Sequence, residues 1–315
     1  MTARTGFASW RTTTAALLTA ALALAACGDD DGGDGGGDAA DASTETLVIG
    51  AIPDQEPERL QRTYGLLADH LADELDVQVE YLPVTDYTGA LTGFDVGDLD
   101  AVWFGGLTGV QARLEVDGAD AVAQRDIDER FTSVFIANTD AGIEPFDDIA
   151  GLAALAGQSF TFGSESSTSG RLMPQSFLDQ AGVDPESDFT GAPGFSGSHD
   201  ATIEVVSAGS FDAGALNSQV WDDRVAEGAV DTDRVIEIFR TPEYYDYHWV
   251  VQPDFDERFG AGFTEDFVDA LTSLDADDEQ DAEILELFGA GAFIPTTNEN
   301  YAAIETVGRR SGLIR

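Results

Sequence analysis

Three stretches of small polar residues, each following a run that reads as a strand, are the places where this sequence could do chemistry. The first is Phe162-Gly163-Ser164-Glu165-Ser166-Ser167-Thr168-Ser169-Gly170, set between a strand and a helix. A helix N-terminus presents unpaired amides and a partial positive charge, and hydroxyls clustered there add donors. Together they would hold a small anion with no Lys or Arg. The same residues would also serve as a simple helix cap. The second stretch, Gly197-Ser198-His199-Asp200-Ala201, opens another helical pattern. His199 there would aim an N–H at the same anion; the alternative is a cap by Ser198 or Asp200 beside a solvated imidazole. With an ordinary pKa of about 6.5, a ligating His199 would tighten anion binding as the pH falls. The third, Asp212-Ala213-Gly214-Ala215-Leu216-Asn217-Ser218, is a strand ending in small polar residues, where open α/β sheets place ligand groups. Tyr87 and the strand end Trp103-Phe104-Gly105-Gly106 hold comparable positions earlier in the chain, and Phe104 also reads as core.

Other chemistry is poorly supported. There is no nucleophile elbow, phosphate-binding loop, dinucleotide fingerprint or metal-ligand spacing, so no catalytic residue, cofactor or metal is expected. One Cys and three His exclude a disulfide framework within the chain and argue against a Cys- or His-rich metal site. His70 falls on a polar helix face, and His248 sits in an aromatic strand that suits packing. The 60 acidic residues face only 15 basic ones, all Arg, for a formal charge of −45. Phosphates would be repelled over the whole surface, so nucleic acid is not expected as a partner. The acids are spread through the chain rather than clustered, which reads as adaptation to salt, with cation capture the alternative.

The elements that must position these residues alternate between strand and helix. Leu47–Ile52 is a short apolar strand. Glu58–Leu75 carries a helical stripe of Leu60, Tyr64, Leu67, Leu71 and Leu75. Strands follow at Val77–Tyr81 and Asp100–Phe104, with a helix between them through Ala90. Further strands are expected at Ser159–Phe162, Asp212–Leu216, Val235–Phe239 and Tyr247–Val251. Helices are expected at His199–Ser207, Phe263–Leu274, Glu279–Phe288 and Asn298–Arg309. The pattern predicts an α/β fold of two lobes with a cleft between them. The crossovers between lobes are placed near Phe131–Ala137 and Tyr244–Val251. That gives one lobe of residues 46–132 plus 248–315 and another of 133–247.

Residues 1–26 read as an export signal. Arg4 and Arg11 precede an uncharged run, Ala15–Ala26, too short to span a bilayer. The run ends in Leu24-Ala25-Ala26-Cys27, which resembles a lipoprotein signal with Cys27 as the lipidated residue. Residues 27–45 are Gly- and Asp-rich, with no large apolar side chain, and read as a flexible tether. The expected location is the outer face of the cell membrane.

Several motifs also resemble a known family. The SSTSG turn, the GSHDA helix start, DAGALNSQVW, VTDYTGAL and DLDAVWFGG occur in the order and spacing of phosphate/phosphite/phosphonate ABC-transporter substrate-binding proteins. YYDYHWVV and FIPTTNENY are similar to a subgroup named for selenate binding. The resemblance implies a periplasmic-binding-protein-like (type II) flytrap with interlobe crossover strands. It further implies capture of a small oxyanion for an ABC permease and ATPase, by a monomer. By the same resemblance, Ser167, Thr168, Ser169, His199 and Tyr87 would face the ligand. Phe131 stands where many relatives have a second Tyr, and Asn217 where many have a carboxylate. Asn217, with two N–H donors, is then expected to favour a fully deprotonated oxyanion such as selenate, or else to cap the helix that follows. The alternatives are a bilobal enzyme acting on a phosphorylated metabolite and a stand-alone sensory or scavenging module.

Overall fold

A computed structural model describes residues 45–315; the signal segment, Cys27 and nearly all of the tether lie outside the described residues. Two mixed sheets organise the chain. The first is built from β1 (Thr46–Ala51), β2 (Gln78–Tyr81), β3 (Ala101–Phe104) and β4 (Asp120–Arg125), joined late in the chain by β10 (His248–Val251) and β11 (Phe293–Pro295). Its order is β11-β4-β10-β3-β1-β2, with β1 parallel to both β2 and β3. β10 inserts antiparallel between β3 and β4. The second sheet comprises β5 (Ser133–Asn138), β6 (Phe160–Phe162), β7 (Gly194–Phe195), β8 (Ala213–Asn217) and β9 (Val235–Arg240) in the order β7-β6-β8-β5-β9.

The chain passes between the sheets twice, before β5 and before β10. The two passes are stitched together: Phe131 and Tyr244 exchange main-chain hydrogen bonds of 2.9 Å in an antiparallel bridge.

Local sequence explains the elements. Helix α1 (Pro57–Leu75) starts with Pro at its first turn and buries Leu60, Tyr64, Leu67 and Leu71. It ends at Asp76 in the left-handed region, φ 53°. In β5, Val134 and Ile136 face one side of the sheet, packed with Ile203, Val206 and Leu216. Phe135 and Ala137 face the other side and join the main core, as the two-residue period of a strand requires. The expected strands and helices are found to within a few residues. Helix α2 (Tyr87–Asp95) is one of them. Helix α3 (Gly106–Glu115) gave no periodic signal, because it is short, starts on glycines and is buried through most of its first two turns.

Candidate functional site

The hydroxyl turn follows β6. Ser167 caps it, its hydroxyl accepting the Gly170 amide at 2.9 Å. The next residues, Thr168–Leu172, form a π turn that leads into α4 (Met173–Gln180). Thr168 Oγ1 accepts the Leu107 amide of α3 at 2.9 Å, a contact between the two sheets' helices. Ser169 Oγ is buried and has no hydrogen-bond partner in the chain. The three hydroxyls therefore do different things: Ser167 caps, Thr168 bridges, and Ser169 Oγ lies near the Tyr244 hydroxyl without closing a hydrogen bond of its own.

The N-terminus of α3 completes this side. Gly105 is its N-cap, and the Gly106 amide donates to Asp246 Oδ1 at 2.9 Å. The other carboxylate oxygen, Oδ2, is buried without a partner. Burial pushes the Asp246 carboxyl up to about 7, against the lowering effects of the Gly106 amide, Thr168 and Arg125. Tyr87 begins α2, fixed by its N-cap Asp86, whose carboxylate accepts the Gly89 amide at 2.7 Å. The Tyr87 hydroxyl is also buried and unpartnered.

A second cluster centres on Tyr247. Its hydroxyl donates to Asp54 Oδ2 at 2.8 Å and accepts from Asn217 Nδ2 at 3.0 Å. His199 Nε2 lies 3.2 Å from the same oxygen, and the Asn217 amide donates to His199 Nδ1 at 3.3 Å. Nδ1 accepts, so the proton sits on Nε2 and the imidazole is neutral. Burial drives His199 down to about 4 despite neighbouring Asp200. Both ring nitrogens are engaged within the chain, so His199 has no titration between pH 5 and 8 to offer, contrary to the expectation of tighter binding on acidification. Asp54 is raised to about 6, mainly by burial, while Tyr247 and Arg125 hold it lower than it would otherwise be. On the other side of Tyr247 a small polar chamber is lined by Asp54, Thr63, Tyr64, Arg125, Asn217 and Phe288.

Asn217 is held at both ends of its amide. Its Oδ1 accepts the Val220 amide at 3.1 Å and so caps α6 (Ser218–Ala226), while its Nδ2 goes to Tyr247. The capping alternative holds, and one of the two side-chain N–H groups of Asn217 is taken by Tyr247. Phe131 is buried against the rings of Tyr247 and Tyr244, at centroid distances of 5.5 and 6.2 Å. Phe104 is core, as is His248, stacked on Tyr301.

Residues 49–301 match the family described as the periplasmic substrate-binding protein of phosphonate ABC transporters. The chain belongs to that family. It is 46% identical over 274 residues to a probable ABC transporter phosphite-binding protein, PhnD1, of Prochlorococcus marinus, covering 87% of this chain and 92% of the relative. The solved structure of PhnD1 with methylphosphonate superposes with a TM-score of 0.83 at 47% identity, over 85% of this chain and 99% of that one. A phosphate-import protein, PhnD, of Mycolicibacterium smegmatis is 31% identical over 56% of each chain. The fold is accordingly that of the periplasmic binding proteins. The chain is an extracytoplasmic substrate-binding component of an ABC importer, not an enzyme.

Membership sharpens which residues the motif reading passed over. Asp246 and Tyr247 lay inside the motif YYDYHWVV and Asp54 just after the first strand, but a single acid among 60 carries no signal and Tyr247 read as part of a packed aromatic strand. Arg125 was missed altogether. It is buried, holds Asp128 bidentately at 2.7 and 2.8 Å, and stacks 4.9 Å from the Tyr247 ring centre and 5.4 Å from Trp103. Its charge is matched by Asp128 and lies behind Tyr247. Among the described residues, no group of three or more His, Cys, Asp and Glu is placed to hold a metal ion.

Proposed function

We propose that this protein captures a small phosphorus oxyanion still carrying one proton, of the phosphite or methylphosphonate kind, for delivery to an ABC permease and its ATPase. One observation carries the reading: three buried atoms, Ser169 Oγ, Tyr87 Oη and Asp246 Oδ2, have no hydrogen-bond partner within the chain. Two are hydroxyl donors and the third is a carboxylate oxygen. Such a set complements an anion with bare oxygens and one P–OH, whose proton Asp246 accepts. Selenate and sulfate have no proton to give and would meet the carboxylate oxygen directly. The relatives' names and the methylphosphonate complex of PhnD1 support the same class of ligand.

In this reading, residues 46–132 plus 248–315 form one lobe and 133–247 the other, closing about the Phe131–Tyr244 bridge. The protein is a monomer held outside the membrane by a lipid on Cys27, with residues 27–45 as tether. Calorimetric titration in high salt with phosphite, methylphosphonate, phosphate, sulfate and selenate tests the ligand class. Phosphite and methylphosphonate are expected to bind roughly 100-fold more tightly than selenate or sulfate, the scale of one hydrogen bond to a charged group. Equal affinity for selenate would overturn the role given to Asp246.

A further inference from the structure

The hydroxyl turn has a defect that the sequence builds in. In a π turn each carbonyl takes the amide five residues on. The Met173 amide goes to the Thr168 carbonyl, and the residue due to serve Ser169 is Pro174, which has no N–H. The Ser169 carbonyl is buried and must be satisfied from outside the turn. Ser133, the first residue of β5, does this: its hydroxyl donates to Ser169 O at 2.8 Å. A hydroxyl has one proton. Since Ser133 gives its own to Ser169, the 2.6 Å contact between Ser133 Oγ and Tyr244 Oη must run with the tyrosine as donor. The relay therefore has a fixed direction, Tyr244 O–H to Ser133 O–H to the Ser169 carbonyl, and all three residues are buried.

Both hydroxyl donors of the relay, Tyr244 and Ser133, sit where the chain crosses between the sheets. Tyr244 exchanges main-chain bonds with Phe131, and the Ser133 amide donates to the Thr241 hydroxyl at 2.9 Å. We propose that Tyr244 and Ser133 are positioning residues, tying the ligand turn to the crossovers so that Ser169 Oγ is aimed only when the crossovers have their closed arrangement. The proposal rests on the reading of Ser169 as a ligand donor.

The test is a double-mutant cycle read by methylphosphonate titration and by the ligand dissociation rate. Tyr244→Phe keeps the ring against Phe131 and removes only the hydroxyl. It is expected to weaken binding about tenfold, through faster dissociation, with little change in the melting midpoint of the free protein. In a Ser169→Ala background, where no hydroxyl remains to be aimed, the same change should cost less than about twofold. Ser133→Ala should behave as Tyr244→Phe does and serves if that variant folds poorly. Equal losses in both backgrounds, or none from Tyr244→Phe, would sink the relay. Unchanged binding in Ser169→Ala alone would instead overturn the reading of the site.

Discussion

At the scale of single residues, Asp246 decides the most. One oxygen is held by the α3 amide and the other faces the site unpartnered, so its ionisation is resisted by burial. A carboxyl at about 7 when folded and about 4 when unfolded binds its proton more tightly in the folded state. Its contribution to stability is present below about pH 4 and lost as the pH rises through about 7. Asp246→Asn should therefore raise the stability of the free protein at pH 8 relative to wild type, by up to about a few kcal/mol and with a higher melting midpoint, the gap closing toward pH 5. The amide in place of Oδ2 turns an acceptor into a donor. Phosphite should then lose affinity while selenate gains, and parallel losses for both ligands would show that Asp246 only shapes the fold. His199 works in the opposite sense. Its folded value of about 4 lies below the usual one, so the stability it supplies as a neutral ring is present above about pH 6.5 and fades on acidification toward 4.

At the scale of elements, α3 does the positioning, and its glycines mark how tightly it is set. A Cβ on Gly109 would lie 2.3 Å from His248 Nε2, on a ring clamped 3.7 Å from Tyr301. A Cβ on Gly105 would instead lie 3.1 Å from Thr168 Oγ1 and 3.4 Å from Asp246 Oδ1. The first obstacle belongs to the same sheet as α3, while Thr168 comes from the other sheet and is met where the two halves join. Gly109→Ala should thus lower the stability of the free protein by about 1–3 kcal/mol, the usual cost of overpacking. Gly105→Ala should mainly weaken ligand binding with a near-normal melting midpoint. Equal effects of both on melting would contradict this division. Gly105-Gly106 was legible only as a strand end where a ligand group could lie, because only the fold shows which side chains approach it. The turn at Ser167–Ser169 and the helix starts at His199 and Tyr87 were legible as positions, since small polar residues ahead of a helical pattern are a local signal. What each does was not: Ser167 proved a cap and His199 a neutral brace, because those roles depend on partners such as Gly170, Tyr247 and Asn217, up to 48 residues away. Arg125 was passed over because its pair with Asp128, three residues on, looks like any surface ion pair, and the Tyr247 and Trp103 rings that bury it are brought together only by the pairing of β10 with β3.

At the scale of the molecule, the charge of −45 and the contacts between the elements of the two sheets pull in opposite directions. Carboxylate repulsion should oppose bringing two acidic halves together, and salt relieves it within a Debye length of about 8–10 Å. The seam answers with arginines. Arg59 of α1 reaches Asp223 and Glu227 of α6 and the residue following it, at 3.7 and 3.3 Å. Arg224 holds Asp200 at 2.6 Å, and Asp200 in turn takes the Glu56 amide at 3.1 Å from across the seam. Arg310 donates to Ser176 of α4 at 2.9 Å. The Arg59 pairs are partly exposed, so each is worth no more than about 1 kcal/mol and is itself screened by salt. Salt thus acts on two opposing terms, and one variant separates them. Arg59→Gln should weaken methylphosphonate binding by about two- to fivefold at 0.1 M NaCl, the worth of an exposed pair, and have little effect near 2 M. The melting midpoint should rise with salt in both proteins alike, because carboxylate repulsion is untouched by the substitution. Titration and melting at the two salt concentrations distinguish the outcomes. A loss of affinity that persists at 2 M would mean that Arg59 acts by packing rather than charge, and a midpoint that does not rise with salt would remove repulsion as the force the seam has to overcome.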